Sequence, residues 1–118
     1  MKTFTSVLVV LFIALGASPA WAHAKLLSTV PPANSFVTSA PTEIALTFNE
    51  KIKLITSAVA DRDGKDVTSV GPARADGTSL RIPVAALLPG QYTVNYRITG
   101  DDGHVINGAM TFSVQAKP

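Results

Sequence analysis

Two histidines are the only imidazoles in this 118-residue chain, His23 and His104. His104 closes the run Asp102-Gly103-His104. Residues two apart in an extended chain project to the same side. Asp102 and His104 are therefore placed to face one cation, with Gly103 permitting close backbone approach. The plainer reading is a polar turn, because Asp-Gly is common in turns. His23 gains a second donor if the chain is cut after Ala22. Its free α-amine and ring Nδ1 then close a six-membered chelate ring on one metal. The amine has a reference pKa near 8, so giving up its proton near neutrality costs little. An accident of trimming would leave the same terminus without any role. Amine, two imidazoles and the Asp102 carboxylate supply four N/O donors, the tetragonal set that suits Cu(II). Glu50, in Thr47-Phe48-Asn49-Glu50, is a third candidate. It is either a solvated strand-end carboxylate or an acceptor, axial or orienting, at the same ion.

The cut itself is legible. Lys2 gives a positive start, and Val7 to Leu15 reads VLVVLFIAL, nine apolar residues without a charge. Ala20 and Ala22 flank Trp21 in the small-x-small pattern of a signal-peptidase site. The apolar run is far shorter than the ~20 residues of a membrane-spanning helix. Residues 1–22 are thus expected to be a cleaved secretory signal and residues 23–118 one exported domain.

Composition narrows the function classes. The chain is 47% hydrophobic and 15% charged, and much of the apolar excess lies in the leader. Without it, nine Lys and Arg stand against eight Asp and Glu, scattered and mixed. A nucleic-acid binder needs a clustered basic patch, so none is expected as a partner. The absence of Cys excludes disulfides, thiolate metal sites and a Cys nucleophile. No phosphate-cradling glycine loop is present.

The elements that must position these residues read as strands. Ile44, Leu46 and Phe48 alternate within Glu43–Phe48, as do Tyr92, Val94, Tyr96 and Ile98, and Met110, Phe112 and Val114. This period of two marks half-buried strands. Leu54–Ala60 is another candidate, followed by a hairpin turn at Asp61–Lys65 and a returning strand at Val67–Val70. Leu80–Val84 is a short strand, placed at a sheet edge by Pro83. Pro31–Ser35, Asp76-Gly77 and Leu88–Gly90 are turns. No segment carries a capped 3.6-residue period. About seven short strands at this spacing indicate an all-β antiparallel sandwich or barrel.

The mature start His23-Ala24-Lys25-Leu26 and the following Ser28–Ala33 resemble the opening of the CopC family of periplasmic copper-resistance proteins. Leu46-Thr47-Phe48-Asn49-Glu50 is similar to that family's L-x-F-x-E segment. Leu88-Pro89-Gly90-x-Tyr92-x-Val94-x-Tyr96-Arg97, then Asp102-Gly103-His104, Gly108 and Phe112-x-Val114, resembles its C-terminal signature. The resemblance spans nearly the whole mature chain. It implies an immunoglobulin-like Greek-key β-sandwich and one Cu(II) per chain near one end. By resemblance the ligands fall on His23 (amine and ring), Asp102 and His104, with Glu50 nearby. It also implies a periplasmic location and a membrane copper transporter of the CopD type as partner. Some family members carry a methionine-rich Cu(I) site. The mature chain holds only Met110, at an inward-looking position, so no such site is expected.

Three functions compete on this reading. A non-catalytic, monomeric Cu(II) carrier fills its equatorial plane with protein donors. A histidine-brace copper oxidase, as in polysaccharide monooxygenases, needs open positions, which Asp102 as a fourth donor opposes. An immunoglobulin-like interaction module keeps the fold and has no metal.

Overall fold

The computed structural model describes residues 24–68 and 71–116. They form eight strands: β1 Leu26–Val30, β2 Phe36–Val37, β3 Glu43–Phe48, β4 Ile52–Ala60, β5 Arg74–Asp76, β6 Ser79–Pro83, β7 Gly90–Gly100 and β8 Val105–Val114. One four-stranded sheet runs β1-β3-β6-β5 and the other β2-β8-β7-β4. The described residues are all-β, an immunoglobulin-like Greek-key sandwich as expected, antiparallel except where β2 runs parallel to β8.

The alternating residues close the core. Ile44, Leu46, Phe48, Val94, Ile98 and Phe112 are almost wholly buried, and Met110 faces inward with them. Fully burying each such side chain contributes roughly 1.5–3 kcal/mol. Phe48 meets Tyr96 edge-on at 5.4 Å, and Tyr92 stacks on Phe112 at 5.6 Å. The Tyr92 hydroxyl donates to the Leu88 carbonyl at 2.6 Å, as a tyrosine corner does in immunoglobulin-like sandwiches.

Tyr96 pairs across the sheet with Gly108. A methyl group on Gly108 would come within 2.2–2.7 Å of the Tyr96 hydroxyl and ring. Only a residue without a side chain leaves the phenol this space. Gly77, at φ 64°, opens the two-residue turn between β5 and β6, in the manner of a type II′ turn.

Two strand expectations are corrected. Val67 does not begin a returning strand. Beyond the Asp61–Lys65 turn there is only an isolated bridge, Ala60 to Asp66, and a bond from Val67 N–H to the Val59 carbonyl at 2.8 Å. Asp66 then caps the Thr68 N–H at 2.8 Å and accepts the Thr68 hydroxyl, turning the chain away from β4. These same bonds hold the Asp66 carboxyl below its ordinary range. Ser69 and Val70, the remainder of that expected strand, lie outside the described residues. Nor is β6 an edge strand: it lies between β3 and β5. Pro83 is tolerated because β5 pairs only with Ser79–Arg81, so no β5 carbonyl calls for the missing N–H at residue 83.

Candidate metal centre

Asp102 and His104 lie in the connection between β7 and β8. The connection is closed at its base: Gly100 N–H donates to the His104 carbonyl at 3.2 Å, and Gly103 N–H to the Gly100 carbonyl at 3.0 Å. Gly103 sits at φ 83° with open space around it. It is therefore needed for the left-handed backbone, not for the close approach expected from sequence. That bend also replaces the extended geometry expected for residues 102–104. Asp102 folds back instead. One carboxylate oxygen accepts the His104 N–H at 2.9 Å and the other meets His104 Nδ1 at 2.8 Å. The His104 side chain is 63% exposed and that of Asp102 26%.

Glu50 arrives from the β3–β4 turn. Its Oε1 accepts the Asp101 N–H at 3.1 Å. A methyl on Gly100 would stand 3.3 Å from both the Glu50 carboxylate and the Ala24 side chain. Glu50 thus packs against the base of the 100–104 connection and tethers its backbone.

The segment preceding β1 reaches the same place. Ala24 is buried in the core cluster. Lys25 is clamped to Asn49: its N–H donates to the Asn49 side-chain oxygen at 2.7 Å, and Asn49 N–H donates to the Lys25 carbonyl at 3.0 Å. Asn49 had no role in the reading of the sequence. Its place in the Phe48-Asn49-Glu50 run was visible, but its partner lies 24 residues away. His23 lies outside the described residues.

Among the described residues, no group of three or more His, Asp or Glu is close enough to hold a metal. Asp102, His104 and Glu50 come to one connection, and only the first two touch each other. A cleft of about 310 Å³ beside the connection is lined by Lys51, Lys53, Asp101 and Gly103, without Asp102 or His104. Two ammonium groups make it a poor cation site.

The sequence model of the CopC domain matches residues 26–115. The chain belongs to the CopC family. This CopC-family chain is 34% identical over 113 residues to protein YobA of Escherichia coli (strain K12), spanning 92% of this chain and 91% of that protein. It is 29% identical to copper resistance protein C of Xanthomonas campestris pv. juglandis, spanning 97% of both. The crystal structure of CopC from Methylosinus trichosporium OB3b superposes with a TM-score of 0.72 at 27% identity, covering 81% of this chain and 97% of that one. PcoC, a methionine-rich copper resistance protein from Escherichia coli, superposes with a TM-score of 0.64 at 31% identity, covering 80% of this chain and all of that one.

Proposed function

We propose that this CopC-family protein is a periplasmic, non-catalytic carrier or buffer that holds one Cu(II) per chain in copper homeostasis and resistance. Its ligands are the His23 amine and ring, His104 and Asp102, in a chain processed after Ala22. The observation that carries the reading is the packing of Ala24 and Glu50 on Gly100, at the base of the Asp102–His104 connection. Ala24, one residue after His23 in sequence, therefore lies at the base of that connection. The family of copper resistance proteins supports copper as the cargo.

The chemistry of the donors agrees. Asp102 Oδ2 and His104 Nδ1 stand 2.8 Å apart, so one ion can take the two as neighbouring donors. Amine, imidazole and carboxylate donors favour Cu(II). A Cu(I) carrier would call for soft thioethers, yet Met110 is packed in the core. Four of the five aromatics of residues 23–118 are also interior, with Phe36 the exposed one. This disfavours a polysaccharide oxidase with a flat aromatic binding face. Delivery to a membrane copper transporter of the CopD type, by a monomer, completes the reading.

The test is an EPR-monitored Cu(II) titration of the exported protein, its start at His23 verified by intact mass. The control carries one extra residue between Ala22 and His23. One equivalent of a tetragonal, nitrogen-rich signal, altered by the extra residue, is expected. A signal indifferent to the insertion, or no stoichiometric signal, would overturn the reading.

A further inference from the structure

We infer that Asn49 is a positioning residue for the copper site, acting through the backbone of Lys25. The inference rests on the reading of an amine-anchored site at His23. A terminal amine is a ligand on a main chain, and a main chain at a terminus is the part of a fold most free to fray. Its entropy must be removed before amine and ring can share one metal with His104. Two contacts do this among the described residues. Ala24 is buried against Gly100. Lys25 is held in a two-bond clamp, its N–H on the Asn49 side-chain oxygen at 2.7 Å and its carbonyl on the Asn49 N–H at 3.0 Å.

The second bond is a backbone bond that any residue at 49 except proline would make. The first needs a short side chain with an acceptor oxygen at that position. Asparagine and aspartate both provide it. The following residue, Glu50, holds the Asp101 N–H at 3.1 Å. Adjacent side chains of one turn therefore hold the backbone of Lys25 on one side and that of Asp101 on the other. Asn49 orders the segment leading from His23, and Glu50 orders the connection carrying Asp102 and His104. Among the described residues Asn49 bonds Lys25 and neither Asp102 nor His104, so it works by limiting where the N-terminal segment goes.

The test is a Cu(II) competition titration on the exported, processed protein with four variants: Asn49→Ala, Asn49→Asp, an extra residue between Ala22 and His23, and that insertion combined with Asn49→Ala. Asn49→Ala is expected to weaken Cu(II) binding about tenfold, the lower range for groups that orient metal ligands. Asn49→Asp restores most of the affinity. In the insertion background Asn49→Ala causes no further loss, because the amine is already out of place. A general loss of folding would weaken binding in both backgrounds, and metal-free thermal melts read that directly. If Asn49→Ala proves unstable, Asn49→Ser removes the reach of the side chain with less disturbance. Parental affinity in Asn49→Ala, alongside weakened binding in the insertion, would overturn the role of Asn49 and leave the amine-anchored site standing. An insertion without effect would overturn the site reading, and the inference with it.

Discussion

Glu50 Oε1 accepts the Asp101 N–H at 3.1 Å across 51 residues of sequence. The bond joins the turn after β3 to the connection after β7, one from each sheet of the sandwich. A carboxylate that looks like a solvated strand end thereby becomes part of the scaffold of the candidate centre.

The tether is separable from metal ligation. Glu50→Ala is expected to weaken Cu(II) binding about tenfold, within the range for groups that orient metal ligands. Glu50→Gln keeps an acceptor for the Asp101 N–H and is expected to recover most of that loss. Competition titration of both variants checks this. A glutamine variant as weak as the alanine variant would mean that Glu50 charge, not its hydrogen bond, matters.

His104→Ala should abolish the response of stability to copper. A ligand that binds only the native state contributes about 4 kcal/mol at a thousandfold excess over Kd. The parent protein is expected to gain a stabilisation of this order from excess Cu(II), and the variant almost none. Chemical denaturation with and without Cu(II) measures it. Acid should erase the parent's gain, because protons compete with the metal for the nitrogen donors.

Gly108→Ala is expected to destabilise the fold by about 1–3 kcal/mol, the ordinary cost of overpacking a filled interior. The added methyl would collide with the ring of Tyr96, which is itself packed on Phe48. Urea denaturation of the metal-free protein reads the loss. Unchanged stability would mean that the Tyr96 ring moves aside without penalty.

Burial raises the Tyr96 phenol above its ordinary value of 10.0. The folded protein then holds that proton more tightly than the unfolded chain does. The resulting stability is complete below about pH 10 and is lost as pH rises through the folded-state value. Tyr96→Phe should flatten the alkaline decline in stability, measured by denaturant melts at a series of pH values. An equally steep decline in the phenylalanine variant would assign it to another group.

Much of this protein is written locally in its residues. The alternation of Ile44, Leu46 and Phe48, and of Tyr92, Val94, Tyr96 and Ile98, determined which faces are buried, because a strand's side chains change face at every residue. Asp76-Gly77 and Asp61–Lys65 determined turns through their backbone preferences. The types of donor at His104, Asp102 and Glu50 marked the candidate centre without any structure. Tertiary structure decided how these pieces meet. Only the order of the two sheets places β6 inside one of them despite Pro83, brings Glu50 to Asp101, and sets Ala24 on Gly100. The left-handed bend at Gly103 turned Asp102 back onto His104, where the local pattern suggested two side chains projecting in parallel. Such contacts join residues far apart in sequence. They are set by strand register and by the packing of one sheet on the other, and no local period carries that information.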